Sequence, residues 1–566
     1  MVPRFSCKAS KQSRKCSLFS FTPDQVTQRG PPKRLKAVLL DYTSSPVHLR
    51  HVSVRNYRGL RGLHLRLRRD TTVLIGENQW GRTSLVRALE AVLGSGDQGL
   101  TAADRTTGTQ GPIEVSLDIG ESRPGEFDCC APLASLPCVM FGHRVVRLRL
   151  MHDDGTTEPS ILDAAGNSLP MDRTAAQAAH DALRQQIPVI RLSLWDGIKA
   201  NDESTVRDAA WTSAMNAWMA PDREGPPSRQ ALLHSAESAT EELSHRRLRD
   251  AASLDLAAEL RALPSAWRHA ERQPANADRV CAMLIAAHAL LKADRRGVGE
   301  GVRPILLVED PETHLHPTLL SNLWSLVEQL PAQRLVTTNS PDFLGAIDLR
   351  AIRRLVRKPD RTVAYGVKSK DLSESDVRRL SYHIRTLRGG AFFARAWILV
   401  EGETEFWSLP GAASLLGHDL DAEGVRVVEF AQAGLESVLR LAGSLAMPVH
   451  ALVDGDAAGR GYADVVRRHD AVAPCRLTVL PANSIERYFW DRGLDGPIRE
   501  SAYGDGASAG RPPARTIEDA IRRHTKPGLA RRLIEAMSAD PERMVPKELG
   551  DVVASAIALA RQSIRC

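Results

Sequence analysis

The sequence predicts an α/β protein in which two parallel sheets follow one another along the chain. Three observations support this prediction. Short apolar runs of strand length alternate with segments of helical spacing. Several of these runs end abruptly in carboxylate or amide side chains, where the carboxyl edge of a buried parallel sheet would lie. A turn framed by two glycines, GENQWGRT at 76–83, joins one such run to a helical segment.

Charge and cysteine usage limit the function classes. The net charge of +7 resides in residues 1–45, where nine Lys and Arg face two Asp, so the remaining chain is neutral. We expect this segment to be a disordered basic tail, unless it precedes a start codon that lies further downstream. The eight cysteines form no C-x-x-C pair, which argues against a zinc ribbon and favours a reducing bacterial cytoplasm. No apolar run reaches the roughly 18 residues of a membrane span.

The first strand–turn–helix unit has the features of a phosphate-binding loop. The glycines allow the backbone to curl so that successive N–H groups point at phosphate oxygens, and the helix N-terminus adds partial positive charge. Arg82 stands where such a loop ordinarily has lysine, and Thr83 offers a hydroxyl to Mg²⁺. The residues of this unit that we expect to bind nucleotide are Gly76, Asn78, Gly81, Arg82, Thr83 and Ser84.

Two further strand ends complete a candidate nucleotide site. The stretch PILLVEDPETHLHP at 304–317 ends a strand in Glu309 and Asp310, which we expect to help hold Mg²⁺ and to polarise the attacking water, respectively. The stretch RLVTTNSPDFL at 334–344 ends another strand, with Asn339 as a nucleotide contact. The order of loop, acidic strand and polar-ended strand matches an ABC-type ATPase head. Alternatively, the adjacent acids are solvated turn residues.

A second group of strand ends carries a cluster of carboxylates. Glu401 and Glu405 follow one strand, Asp454 and Asp456 the next, and Glu486 a third. Carboxyl ends of parallel strands meet at one edge, so these acids should converge and repel one another unless cations neutralise them. Hard oxygen ligands select Mg²⁺ or Mn²⁺, and two such ions about 4 Å apart can cleave a phosphodiester. Alternatively, each acid caps a helix or a turn.

The motifs together resemble a known family. The E-G-E-T-E stretch followed by D-G-D resembles the signature of a TOPRIM domain. A TOPRIM domain behind an ABC-type head resembles the overcoming-lysogenisation-defect (OLD) family of ATP-dependent endonucleases, over residues 48–566. The resemblance implies an ABC-type P-loop ATPase head with a helical insertion, followed by a TOPRIM domain with a Rossmann-like parallel sheet. The expected ranges are a tail at 1–45, the head at 46–375 with its insertion at 170–300, the TOPRIM domain at 390–500 and a C-terminal helical segment at 501–566.

The resemblance also implies roles for the acids. The head dimerises and binds ATP and Mg²⁺, and the TOPRIM domain cuts or nicks DNA with two metal ions. Lys547 is the preferred candidate for the family's catalytic lysine, and Lys526 is the alternative. Ser484 would support the metal ligands. The expected catalytic residues are Glu401, Asp454, Lys547 and Asp310, and the expected metal ligands are Glu401, Glu405 and Glu486 for one ion and Asp454 and Asp456 for the other.

Departures from the family pattern are concentrated in the head. Arg82 replaces lysine, Asn339 stands where most relatives have histidine, and QPANADRV at 273–280 lacks the Ser-Gly pair of a signature motif. Arginine keeps the charge but has a wide planar fork, and asparagine does not titrate near neutral pH. We therefore expect that nucleotide binding survives and that ATP hydrolysis is slow or absent.

The leading functional hypothesis is a Mg²⁺-dependent DNA endonuclease under the control of an ATP-binding head, in DNA repair or phage defence. The main alternative is a non-catalytic, ATP-responsive DNA-binding clamp. A primase would bring a zinc module and a topoisomerase a catalytic-tyrosine module, and the sequence shows neither. We expect DNA binding of low sequence specificity, a homodimer through the head and no membrane contact, with room for an unidentified partner protein. The arginine-rich strips 64–69 and 350–357 are either DNA-phosphate contacts or solvated faces.

Overall fold

The computed structural model describes residues 47–565 with one long gap, 193–303. The basic tail, most of the expected helical insertion and the segment 273–280 lie outside the described residues. The described residues belong to one compact unit. The shorter gaps are 95–98, 123, 129–130, 137–138, 141–142, 164, 314–319, 321–323, 325–326, 329–331, 369–370, 384–388, 470–474 and 505–509.

The described strands and helices are numbered in chain order. The strands are β1 Val47–Tyr57, β2 Leu60–Arg66, β3 Thr71–Ile75, β4 Ile113–Glu121, β5 Val139–Met140, β6 His143–Asp153, β7 Thr156–Leu162, β8 Val189–Leu192, β9 Ile305–Glu309, β10 Gln333–Thr337, β11 Ile352–Arg357, β12 Thr362–Gly366, β13 Ala396–Val400, β14 Val425–Glu429, β15 Val449–Val453 and β16 Cys475–Val479. The α-helices are α1 Arg82–Leu93, α2 Ala131–Ala134, α3 Arg173–Gln186, α4 Pro341–Gly345, α5 Glu374–His383, α6 Glu403–Leu415, α7 Leu435–Ser444, α8 Ala457–His469, α9 Ile485–Phe489, α10 Asp495–Tyr503, α11 Pro513–Met537, α12 Pro541–Met544 and α13 Lys547–Arg565.

The head is built on one large mixed sheet. Its parallel part runs in the order β11-β3-β10-β9-β8, and an antiparallel wing of β1, β2, β4 and β6 continues it through β12. All five residues of β3 are buried, as expected for a central parallel strand. Because β10 lies between β3 and β9, the glycine-framed loop, the acidic strand end and the polar strand end meet at one edge, as the sequence predicted.

The second sheet has four strands, all parallel, in the order β14-β13-β15-β16. Its two central strands, β13 and β15, are buried at every position, which matches sequences that are apolar apart from His450. This sheet and the head sheet carry the predicted strands at 305–308, 397–400 and 449–453. The predicted α/β fold, a head followed by a Rossmann-like parallel sheet, is confirmed.

One hydrophobic core joins the two sheets. It contains Val73 and Val336 of the head strands together with Trp397 and Val449 of the second sheet. The Trp397 indole donates a 2.7 Å hydrogen bond to the Ala391 carbonyl, which fixes the segment that leads from head to second sheet. A separate core surrounds α13 and the other face of the second sheet. Within the described residues, no helix combines the length and the apolar character that crossing a bilayer requires.

Candidate active site

The acids of the second sheet lie on neighbouring strands. Leu399 of β13 is in register with Ala451 of β15. Glu401 follows the end of β13, and Asp454 follows the end of β15. Continuing the register by two residues places Glu401 opposite Val453, one residue before Asp454. With adjacent strands about 4.8 Å apart and a rise of about 3.3 Å per residue, the backbones of the two acids lie about 6 Å apart. The structure therefore brings together the two acids that the sequence singled out as catalytic.

The D-G-D turn after β15 depends on Gly455. A Cβ atom at this position would lie 2.4 Å from the Leu480 carbonyl oxygen, and the Gly455 N–H donates a 2.8 Å hydrogen bond to the Ala482 carbonyl. The turn is thus pressed against the loop that follows β16. Beyond it, one carboxylate oxygen of Asp456 accepts a 2.7 Å hydrogen bond from the Gly459 N–H at the start of α8. Asp456 therefore also caps a helix, as the alternative interpretation expected for single acids.

Two further acids lie in the interior beside this edge. Glu405 in the first turn of α6 and Glu486 in α9 are each only 4% exposed. The Thr404 hydroxyl donates a 2.6 Å hydrogen bond to Oε1 of Glu486, which links the two helices. Ser484 caps α9 by accepting a hydrogen bond from the Arg487 N–H.

Crowding of these acids shifts their protonation. Burial, with the charges of Glu405, Glu401 and Glu486, raises the pKa of Asp454 to about 8. Burial, with the charge of Glu486, raises the pKa of Glu405 to about 7. Burial and the charge of Asp456 also raise the pKa of Glu401. Each shift shows that the ionised form lacks compensating positive charge in the protein alone.

The carboxylates leave oxygen atoms for a cation. Among the described residues, Oε2 of Glu401 and Oδ1 of Asp454 are buried and have no hydrogen-bond partner. A buried, unpaired carboxylate oxygen is costly, and bound Mg²⁺ or Mn²⁺ would satisfy it. The donor set fits such an ion. In the part of the chain that is described, however, no three acidic, histidine or cysteine side chains already have the spacing of a metal site, so the acids must draw together to bind one.

Lys526 lies beside the acids because α11 is broken next to it. Thr525 has φ 63°, a left-handed conformation that is unfavourable for a β-branched residue, and Pro527 follows. The break brings Nζ of Lys526 to 3.8 Å from Oε1 of Glu486. Its charge partly opposes the upward shift in the pKa of Glu401 and of Glu405.

The preference for Lys547 is not supported by this geometry. Lys547 is exposed at the first position of α13, and its charge acts on the neighbouring Glu548. Glu548 in turn accepts hydrogen bonds from the Tyr488 hydroxyl and from Arg492. The alternative candidate, Lys526, is therefore the lysine that the structure brings to the acid cluster.

The glycine-framed loop of the head has the expected backbone shape. Gly81 has φ 90°, and a Cβ atom there would lie 2.2 Å from Cδ2 of Leu60, so a larger residue cannot be accommodated without movement. Thr83 is exposed at the start of α1, whereas the hydroxyl of Ser84 accepts a 3.4 Å hydrogen bond from the Gly59 N–H. Gly81 thus adopts the left-handed conformation at the point where the loop turns into α1.

Arg82 ties this loop to the neighbouring strand end. Its guanidinium is buried and donates hydrogen bonds to the Thr338 carbonyl at 2.6 Å and to the side-chain oxygens of Asn78 and Asn339, each at 2.7 Å. It lies 3.6 Å from Asp310. Burial lowers the pKa of Arg82, although the nearby acids oppose that shift. Arg82 therefore hydrogen-bonds to Asn78 and Asn339, the two asparagine side chains that the sequence predicted as nucleotide contacts.

The acids beside the loop are also held by protein partners. Glu309 pairs with Arg191 at 2.6 Å, and Asp310 accepts a 3.2 Å hydrogen bond from the Thr337 hydroxyl. Sequence reasoning missed Glu312, which accepts hydrogen bonds from the Asn339 N–H at 2.5 Å and from the Thr338 hydroxyl at 2.8 Å. Its position two residues after Asp310 in the same turn was the available signal.

Comparison with known proteins identifies the family. One matching family model is described as a protein of unknown function (DUF2813) and covers residues 47–101 and 229–391. A second describes the TOPRIM domain of overcoming-lysogenization-defect-like proteins and covers residues 392–456. The uncharacterized protein YbjD of Escherichia coli K12 is 33% identical over 522 residues, which cover 85% of this chain and 93% of YbjD. The OLD nuclease of Thermus scotoductus is 31% identical over 172 residues, or 28% of this chain and 32% of that nuclease.

The chain belongs to the OLD family. It is thus a member of a family that includes a nuclease. The segment matched by the TOPRIM model contains both acid motifs and ends at Asp456. Glu486 and Lys526 lie beyond that segment. Among solved structures, the C-terminal region of the Xanthomonas campestris OLD protein is 20% identical, covers 30% of this chain and 96% of its own, and has a TM-score of 0.24. The SMC head domain from Thermotoga maritima is 12% identical, with coverages of 57% and 99% and a TM-score of 0.28.

Proposed function

We propose that this OLD-family protein is a divalent-cation-dependent endonuclease that hydrolyses DNA phosphodiesters at the carboxyl edge of β13 and β15. The observation that carries the proposal is the meeting of Glu401 and Asp454, whose buried oxygens lack partners, beside the ammonium group of Lys526. Purely structural acids would be paired within the protein, because an unpaired buried carboxylate is destabilising.

The acids divide into two ligand groups. Glu401, Glu405 and Glu486 hold one Mg²⁺ or Mn²⁺, and Asp454 and Asp456 hold the other. When bound, such ions supply an activated water and stabilise the charge that leaves with the departing oxygen. The hydrogen bond from Thr404 fixes the orientation of Glu486, and the α8 N-terminus fixes that of Asp456.

Lys526 stabilises the reacting phosphate. As the water oxygen bonds to phosphorus and the bridging oxygen departs with a proton, negative charge accumulates on the non-bridging oxygens. An ammonium group close to the ligand Glu486 lies within reach of those oxygens and offsets this charge without reorganisation. Nothing in this set of residues reads base edges, which fits DNA cleavage of low sequence specificity.

The head acts as a nucleotide-binding control element with weak or absent hydrolysis. The glycine-framed turn before α1 supports phosphate binding. One nitrogen of Arg82 donates to Asn78 and Asn339 while the other donates to the Thr338 carbonyl, a two-nitrogen contact that lysine lacks. A bound nucleotide has to compete for these groups, which opposes the close γ-phosphate geometry that hydrolysis needs. Dimerisation through the head, and a role in DNA repair or phage defence, belong to the same proposal.

Nicking of supercoiled plasmid tests the proposal. Wild-type protein is incubated with Mg²⁺ or Mn²⁺, with and without ATP, beside Asp454→Asn. We expect metal-dependent nicking that falls by roughly 100-fold or more in the variant, because a metal ligand is removed. Asp464→Asn is the matched control, since Asp464 lies on the exposed surface of α8 and pairs with Arg467. Equal nicking by Asp454→Asn and wild type would refute the proposal.

One observation favours the second candidate, a non-catalytic DNA-binding clamp. The described acids do not form a preassembled metal set. A clamp would retard DNA in a gel in response to ATP, and neither Mg²⁺ nor Mn²⁺ would produce nicked plasmid. The same plasmid assay, read by retardation and by nicking, therefore separates the two candidates.

A further inference from the structure

A tryptophan of the glycine-framed loop contacts a buried arginine. Trp80 is 6% exposed, and its ring lies over the guanidinium of Arg354, 6.0 Å from it. Arg354 belongs to β11, next to the loop strand β3. It lies in one of the strips considered above for DNA contacts, but it is only 2% exposed and cannot reach DNA. Neither residue has a part in the chemistry described so far.

Arg354 binds the starting points of both acid-bearing strands. It donates hydrogen bonds to the carbonyls of Leu445 at 3.1 Å and Ala446 at 3.0 Å, just before β15, and to that of Ala394 at 3.3 Å, just before β13. Ala446 has φ 49°, so the chain adopts an unfavourable turn at the point where Arg354 holds it. One side chain of the head thus fixes the entry to β13 and β15 together.

A second link connects the loop with β13. Glu77, in the same loop, forms an ion pair with Arg395, the residue that immediately precedes β13. The backbone N–H of Arg395 donates a 2.7 Å hydrogen bond to the Gly424 carbonyl, which fixes Arg395 next to β14. The loop is therefore linked to the second sheet directly through one ion pair and indirectly through the contact of Trp80 with Arg354.

From these contacts we infer that Arg354 is a positioning residue of the nuclease site. Through Glu77 and Trp80, the conformation of the glycine-framed loop influences this positioning. This inference rests on the proposed function. The strands β13 and β15 are five residues long, fully buried and hydrogen-bonded to each other. Such strands, about 16 Å long, move as rigid units in a close-packed interior. A displacement at their beginnings therefore changes the spacing of Glu401 and Asp454 at their ends.

The chemistry of Arg354 argues against a role in stability alone. The three acceptors described above are neutral carbonyls, and burial lowers the pKa of Arg354 to about 10. Burying a guanidinium in this way is less stabilising than a well-packed apolar side chain of similar volume. What the arginine provides is geometry, since a planar fork can hold two strand entries at fixed separation.

Equilibrium binding of Mn²⁺ without DNA tests this inference independently of activity. Free Mn²⁺ is measured by its EPR signal, and the sites of interest are those that disappear in Asp454→Asn. We expect Arg354→Lys to bind Mn²⁺ at these sites about fivefold more weakly than wild type. Arg334→Lys is the matched control, because Arg334 is a buried arginine that donates to the head carbonyls of Val327 and Glu328. We expect the control to keep wild-type affinity.

The outcomes separate the two proposals. If wild type and Asp454→Asn bind Mn²⁺ alike, the proposed function fails. If those sites exist and Arg354→Lys binds them as wild type does, or Arg334→Lys weakens them equally, the positioning role is refuted.

A double-mutant cycle covers the case in which Arg354→Lys does not fold. Glu77→Gln and Arg395→Gln alter a half-exposed pair and are expected to weaken Mn²⁺ binding about threefold each. Because the two residues act through one contact, the double variant should also lose only about threefold rather than the product. The exposed Arg440→Gln, whose partner Glu436 lies on the same helix, is the control. A multiplicative loss, or none in either single variant, would overturn the link.

Discussion

Replacing Asp454 by asparagine should change how stability depends on pH when no metal is present. Burial and four neighbouring carboxylates raise the pKa of Asp454 to about 8, from an ordinary value near 4. Between these values the folded protein holds a proton that the unfolded chain has released. Folding stability therefore falls as pH rises through this window and is constant above it. Asparagine does not titrate, so the variant lacks this loss.

The size of the effect follows from the window. From pH 5 to pH 8 the wild type crosses about three pH units, which corresponds to ~4 kcal/mol by linkage. The carboxyl group is partly open to solvent, and screening reduces this to on the order of 2 kcal/mol. Any fixed cost of the buried amide is the same at both pH values. The diagnostic quantity is therefore the difference in unfolding free energy between variant and wild type, and how much this difference changes from pH 5 to pH 8.

Thermal unfolding in EDTA measures this pH-dependent difference in stability as a difference in apparent Tm. The apparent Tm of Asp454→Asn relative to wild type should rise by about 2 °C between pH 5 and pH 8. Asp464→Asn, which alters an exposed ion pair, should follow wild type within about 1 °C. Adding Mn²⁺ at pH 8 should raise the Tm of wild type but not of Asp454→Asn. Parallel pH profiles for Asp454→Asn and wild type would show that the acids are not crowded, and the reasoning would be wrong.

Three other substitutions give separate predictions. Wild type should bind a fluorescent ATP analogue yet hydrolyse ATP slowly. Arg82→Lys should bind the analogue at least as well, because lysine is the residue that such a loop ordinarily has and it lacks the second nitrogen that bonds the Thr338 carbonyl. Fast wild-type turnover that Arg82→Lys abolishes would contradict this. Lys526→Ala should reduce plasmid nicking by roughly 100-fold with little change in Mn²⁺ affinity. The nicking activity of Lys547→Ala should stay near that of wild type. The reverse order of activities would restore Lys547 as the catalytic candidate. Gly455→Ala should lower the apparent Tm and abolish nicking, because the added Cβ atom would clash with the Leu480 carbonyl. Gly461→Ala is the control, because a Cβ atom there has open space around it. A wild-type Tm for Gly455→Ala would show that the turn is not tightly held.

The strands that carry the site were predictable, because nearly all of their side chains are apolar. The runs before Glu401 and Asp454 consist of apolar side chains, apart from His450, and end in acids. By contrast, β11 contains Arg353 and Arg354, so its sequence resembles a solvated face even though Arg354 is buried. That burial depends on carbonyls about 40 and 90 residues away, which no local pattern reveals.

The catalytic lysine and the partners of Arg82 could not be assigned from the sequence, because both depend on how distant segments pack together. The sequence favoured Lys547 and gave Lys526 as the alternative. The proximity of Lys526 to Glu486 follows from the break of α11 at Thr525, which no spacing in the sequence reveals. For Arg82 the sequence indicated a fork too wide for the loop. Its actual partners, Asn339 and the Thr338 carbonyl, became available because β10 is the neighbour of β3.

The most direct test of the account is the position of manganese in a crystal grown with Mn²⁺. Anomalous scattering should show metal between the carboxylates of Glu401 and Asp454, within about 2.5 Å of their oxygens, after the acids have drawn together. Metal only beside Asp310 and Thr83 in the head, with the acids of β13 and β15 still bare, would contradict it.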